Sequence, residues 1–181
     1  MMRWLMRRRI GAFERQYDYD MSYVRDMLAV SPHAVRLLGA VRALGQYRRD
    51  VPTEAYFAAT LVAVRWEDCG PCTQLVVTMA ERAGVAPALL RAVLTRDERA
   101  MTETTRLGFR FAEVVLAHEP AADALRDEIA ARWGRNAVIS LAFGIAAARV
   151  FPTVKYALGH GKACTRVTVA GATVPVLREA A

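Results

Sequence analysis

Two cysteines separated by a glycine and a proline, Cys69-Gly70-Pro71-Cys72, are the one constellation in this chain whose residue types and spacing carry chemistry. Thiols this close in sequence can join as a disulfide when a helix begins at or inside the motif, and Gly70 and Pro71 permit the turn this requires. A thiol near a helix N-terminus lies at the positive end of the helix dipole, among backbone amides without partners. Both favour the thiolate, the form that attacks disulfides and peroxides. Glu67 and Asp68 directly precede Cys69 and are the local carboxylates able to take or return a proton; their plainer role is capping and charge complementing the dipole.

The other residues with chemical potential are scattered. His33, His118 and His160 show no ligand spacing to one another. A zinc site drawn from Cys69, Cys72, His160 and Cys164 has suitable ligand types but lacks a second clustered pair, so no metal and no other cofactor is expected. Cys164 reads as a small buried residue.

The elements that must position the cysteines follow from periodicity. Residues 13–30 are charged and aromatic, with Tyr17, Tyr19 and Tyr23 among acids and arginines. Ser31 as N-cap and Pro32 at the first helical position then start a helix carrying Val35, Leu38, Val41 and Leu44. The next helix begins near Thr53-Glu54 and runs toward Trp66, delivering the chain to the cysteines. A helix over residues 71–83 follows, closed by Gly84, and then a short one to Val93 and three longer ones over about 100–116, 121–133 and 136–158. In residues 167–176 valines alternate with polar residues about Ala170-Gly171, the pattern of a small β-hairpin. The fold class expected is all-α, a helical bundle with a small C-terminal β-hairpin. It forms one domain over residues 1–181, with an N-terminal helical extension (1–51), a core (52–159) and a hairpin tail (160–181).

Hydrophobic residues make up 54% of the 181 residues and aromatics 8%, which puts the core on alanine, valine and leucine, residues suited to closely approaching helices. The formal charge of +7 is carried almost wholly by arginine, since Lys155 and Lys162 are the only lysines. The basic residues are dispersed and no recognition pattern accompanies them, so nucleic-acid binding is not expected. Three cysteines, an odd number, do not make a secreted disulfide framework, and a reducing, cytoplasmic setting is expected. The basic, apolar residues 1–10 lack a following apolar core of a secretion signal. They read as a helical arm, with weak contact to a membrane surface as the sharper alternative. The apolar run 137–148 is too short to span a bilayer, so no transmembrane segment is expected.

The four letters around the cysteines suggest thioredoxin, but residues 56–65 are alanine-rich and helical in spacing where thioredoxin needs a β-strand. Residues 61–85, from Leu61-Val62-Ala63-Val64-Arg65-Trp66 through Cys69-Gly70-Pro71-Cys72 to Ala83-Gly84-Val85, resemble the centre of the alkylhydroperoxidase D-like (AhpD-like), carboxymuconolactone decarboxylase superfamily. There a helix runs into a Cys-x-x-Cys that opens a second helix ending in Ala-Gly-Val. The resemblance covers roughly residues 52–159, including Tyr156-Ala157-Leu158-Gly159. It implies a homo-oligomeric, thiol-dependent oxidoreductase and antioxidant peroxidase or disulfide reductase, with a small-molecule or disulfide substrate and a dithiol or protein-thiol electron donor. By the same resemblance Cys72 attacks and Cys69 resolves the intermediate as a disulfide.

The chain departs from that family at three positions. The relay histidine one turn after the second cysteine is Val76 here, the histidine before that cysteine is Pro71, and the upstream glutamate falls on Phe57. Glu54, one turn earlier on a similar face, and Glu67 are the candidates to assist proton transfer in their place. The alternative is a non-catalytic oligomeric scaffold with a structural or redox-sensing cysteine pair. A decarboxylase is disfavoured by the Cys-x-x-Cys and by the poverty of nearby histidines.

Overall fold

A computed structural model describes residues 2–162 and 166–176 of the chain. Its described elements are nine α-helices, one short 3-10 turn (Glu98–Ala100) and one two-stranded sheet: α1 (Met2–Tyr17), α2 (Ser22–Val30), α3 (Pro32–Leu44), α4 (Thr53–Trp66), α5 (Gly70–Arg82), α6 (Pro87–Thr95), α7 (Glu103–Leu116), α8 (Ala121–Trp133), α9 (Arg135–Ala157), β1 (Arg166–Val169) and β2 (Ala172–Pro175). The fold is therefore all-α with a C-terminal hairpin, as the residue pattern predicts.

The centre of the molecule is α4. Ten consecutive residues, Ala55 through Val64, are buried, so this helix is apolar on every side and enclosed by others. Its neighbours α7 and α9 approach closely because glycines face it. A Cβ on Gly108 of α7 would collide with the backbone of Ala55, and one on Gly144 of α9 would meet the Tyr56 ring at 2.7 Å. Phe57, Leu61, Val64, Leu90, Leu94, Phe109, Ile129 and Leu141 fill the space between. A second, smaller cluster, Ile10, Tyr19, Tyr23, Val24 and Leu28, is built by α1, α2 and the turn joining them, with Leu75 of α5 and Val154 of α9 packed against it.

Local signals set several boundaries. Ser31 accepts a hydrogen bond from the Ala34 amide, the cap its sequence position predicts. Residues 13–30, read from sequence as one stretch, are divided into two helices. Asp18 adopts a left-handed conformation (φ 48°), and Asp20 accepts from both the amide and the hydroxyl of Ser22 as α2 begins.

Ala170 and Gly171, both at positive φ, form the hairpin turn, the conformation a two-residue I′ loop needs. The hairpin is fastened to α5. Gln74 donates to the Thr168 carbonyl and accepts from the Thr168 amide, Glu81 accepts from the Ala170 amide, and Val167, Val169 and Val174 point into the main core.

Helix α9 extends well beyond the 137–148 run, continuing through Arg149 and Pro152 to 23 residues. By length and composition it is long and apolar enough to cross a membrane, which the shorter run did not suggest. Here it lays Ala137, Leu141 and Ile145 into the main core.

Candidate functional site

The link between α4 and α5 turns the chain so that two sulfurs meet. Glu67 caps α4, Asp68 takes a left-handed conformation (φ 51°), and Cys69 is extended as the N-cap of α5. Gly70 and Pro71 occupy the first turn, where a missing proline amide costs nothing. Cys69 and Cys72 are joined as a disulfide with Cα atoms 5.3 Å apart. The Cys69 carbonyl accepts from the amide and the hydroxyl of Thr73, both at 2.9 Å, which fixes the first turn of α5. The Gly70 amide donates to the Lys162 carbonyl at 2.9 Å, so the segment after α9 closes over the motif. Both sulfur-bearing residues are deep, Cys69 at 0% and Cys72 at 4% exposure.

The residues expected to assist proton transfer lie elsewhere. Glu54 is in the first turn of α4, at the far end of that helix from the cysteines, where it accepts from the Thr102 hydroxyl at 2.7 Å. Twelve residues of helix, about 18 Å of axis, separate it from Trp66. Glu54 is thus corrected from a proton-transfer candidate to a contact with the cap of α7. Glu67 is close in sequence but turned to α9, accepting from Arg149 Nε at 2.5 Å and from the Thr153 hydroxyl at 3.3 Å. Its bonds go to α9 and none to a sulfur among the described residues. A shallow depression lined by Ala146, Arg149, Val150, Thr153 and Val154 opens beside this contact. The Asp68 carbonyl accepts from the Tyr156 hydroxyl at 2.8 Å, and Val76 and Phe57 pack in the main core.

What does touch a sulfur comes from the segment read as an extension outside the family core. The Tyr19 hydroxyl lies 3.5 Å from Cys72 Sγ, and a disulfide sulfur can only accept, so the phenol is the donor. Behind it, Lys155 Nζ donates to the Tyr19 oxygen at 3.4 Å and rides over the Tyr19 and Tyr23 rings at 4.7 and 5.3 Å. Lys155 is 2% exposed, a buried cation among aromatic faces. Burial pushes the Tyr19 phenol far above its ordinary range, with Tyr23 adding to the effect, and raises Tyr23 to about 12. Burial lowers Lys155, opposed in part by the Asp20 carboxylate.

Sequence reading missed both residues. A signal existed for Lys155: counting back from it along α9, Pro152, Gly144, Leu141 and Ala137 fall on the same helical stripe, which is the buried one. Nothing local marks Tyr19 apart from its neighbours Tyr17 and Tyr23.

His160 stands at the rim. Its Nδ1 is 3.2 Å from the Ser22 hydroxyl and its Nε2 3.1 Å from Asp26, an order that superficially suggests a Ser-His-Asp nucleophile. The Ser22 hydroxyl, however, donates to Asp20, so its proton is not handed to the imidazole. No group of three or more histidine, cysteine or acidic side chains able to hold a metal occurs among the described residues, and Cys164 of the zinc reading lies outside them.

No protein-family model, curated protein or solved structure matches this chain.

Proposed function

We propose that this chain is an AhpD-like thiol oxidoreductase in which the Cys69–Cys72 pair alternates between disulfide and dithiol while reducing a peroxide or a disulfide. The observation that supports it is the pairing of two sulfurs at the first turn of a 13-residue helix, where the helix N-terminus stabilises a thiolate. With a hydroperoxide, the Cys72 thiolate attacks the O–O bond. The sulfur becomes a sulfenic acid and the other oxygen leaves as an alcohol after taking one proton. Cys69 then attacks the Cys72 sulfur, releasing water and closing the disulfide. An external dithiol returns two electrons and two protons and is itself oxidised. With a disulfide substrate the leaving group is a thiolate and the resolving step is the same.

The depth of both sulfurs favours a second reading, a structural or redox-sensing pair, because Cys69 is 0% and Cys72 4% exposed and a substrate needs the packing around them to open. The reduction potential of the pair, measured with turnover of tert-butyl hydroperoxide under a dithiol donor, separates the two. The enzyme reading expects a potential between roughly −270 and −120 mV and activity abolished in Cys72→Ser. A pair that resists reduction below about −300 mV, with no turnover, establishes the structural role.

Self-association is part of the same proposal. Leu37 and Leu44 on α3 and Ile139 and Phe143 on α9 are exposed, apolar surface that a second copy would cover. Light scattering behind size exclusion tests it; a monomer at all concentrations rejects it. A cytoplasmic setting belongs to the proposal as well, since an exchangeable pair needs a reducing pool to keep it cycling.

A further inference from the structure

The family's relay histidine is replaced by Val76, yet Cys72 is not without a proton-bearing neighbour. Tyr19 reaches it from the turn between α1 and α2, and Lys155 reaches Tyr19 from α9. The result is a continuous line from Cys72 Sγ to Tyr19 Oη (3.5 Å) to Lys155 Nζ (3.4 Å), sealed from solvent over its whole length. A buried ammonium and a buried phenol are costly groups in a protein interior, and hydrophobic residues of the same size would pack there without that cost. Their alignment on the one sulfur expected to react is what the cost maintains.

Resting on the thiol-exchange reading above, we propose that Tyr19 is a catalytic residue that hydrogen-bonds the Cys72 thiolate and protonates the departing oxygen or sulfur of the substrate, with Lys155 as the positioning residue that restores its proton. The step balances. The Cys72 thiolate, the Cys69 thiol, the Lys155 ammonium and a hydroperoxide give the disulfide, neutral Lys155, an alcohol and water. The two protons delivered by the dithiol donor regenerate the Cys69 thiol and the Lys155 ammonium. The two transfers at Tyr19 are concerted in this scheme, the phenol losing one proton as it gains the other, in keeping with burial that disfavours a free phenolate. Lys155 is lowered by burial, which makes it a ready donor.

The charged and titratable groups around this line are few. Tyr23 lies on α2, Asp20 and Lys162 act on Lys155 through space, and the His160 amide donates to the Lys155 carbonyl while its ring faces Asp26 and Tyr23.

The test compares the full chain with Tyr19→Phe, Lys155→Met and Cys72→Ser. One readout is turnover of tert-butyl hydroperoxide with dithiothreitol. The other is the pH profile of Cys72 alkylation by iodoacetamide in the reduced protein, resolved by peptide mass. The relay expects Tyr19→Phe to lower turnover by about tenfold or more and to move the alkylation profile about one pH unit upward. Lys155→Met should lower turnover comparably, and in both variants thermal melting should remain cooperative. If Tyr19→Phe unfolds, Lys155→Met alone decides, because it replaces a buried charge with an apolar chain of similar length. Wild-type turnover and an unmoved profile in these variants, beside an inactive Cys72→Ser, would overturn the relay and leave the thiol chemistry standing. No turnover in the unaltered protein would remove both.

Discussion

The two apolar clusters of this molecule are built on opposite principles. Around α4 the packing is dry and close, made of alanine, valine, leucine and phenylalanine, with Gly108 and Gly144 allowing α7 and α9 to approach to backbone distance. Around α1 and α2 the cluster is small and aromatic, and it accepts polar atoms: the Tyr19 and Tyr23 hydroxyls and, against them, the Lys155 ammonium. The cysteines belong to the first cluster and Tyr19 to the second. The disulfide thus lies at the seam, packed closely from one side and hydrogen-bonded by a phenol from the other; under the proposed chemistry the first cluster would position it and the second would modulate it.

The largest way to break this contrast is in the dry cluster. Gly108→Ala sets a methyl against the Ala55 backbone, which cannot yield as a side-chain tip can. We expect a loss of about 3 kcal/mol, read as a fall of roughly 6–12 °C in melting temperature. Gly144→Ala meets the Tyr56 ring instead, and the ring has room to shift, so its cost should be smaller; equal losses would show that ring and backbone resist alike.

Next is the seam itself. Reducing the disulfide frees a loop of four residues in the unfolded chain, which the chain-entropy relation converts to about 2 kcal/mol lost, measured as a lower urea midpoint in the reduced protein at unchanged slope.

The polar cluster should reveal itself in alkali. Tyr23 is raised in the folded protein, so the stability it contributes is present below pH 10 and is lost as pH rises through about 12; Tyr19, raised as well, acts in the same direction. Unfolding free energy should fall by on the order of 1–2 kcal/mol above pH 10, and Tyr23→Phe should flatten that slope. A slope identical in the variant would assign the alkaline loss elsewhere.

The smallest effect has the opposite sign. Lys155→Met removes a buried cation whose pKa burial depresses, and we expect it to leave stability unchanged or raise it by about 1 kcal/mol at neutral pH, even as turnover falls. Marked destabilisation by this substitution would mean that Lys155 holds the seam together rather than serving its chemistry.

Much of this architecture was written locally. Ser31-Pro32 announced the start of α3, Ala170-Gly171 the hairpin turn, Gly84 (φ 85°) the end of α5, and the alanine-rich run before Cys69 a helix rather than the strand of a thioredoxin. The carboxylates were misplaced for a reason that is also physical. Helical spacing places Glu54 on a similar face to Phe57, and chain proximity places Glu67 beside Cys69, but neither pattern fixes what a carboxylate bonds to in the folded chain. Three to four turns of helix carried the first to the other end of α4, while Arg149 and Thr153 drew the second to α9.

The amino-acid order by itself determined that the chain is helical with a C-terminal hairpin, where α3 begins, and that two cysteines stand where a helix starts. These are consequences of short-range sterics, capping and periodicity. Only the tertiary structure decided what meets Cys72, because Tyr19 lies 53 residues before it and Lys155, which meets Tyr19, lies 136 residues after Tyr19. Contacts of that span are chosen by which apolar faces bury one another, and that competition is settled across the whole chain rather than within any segment of it.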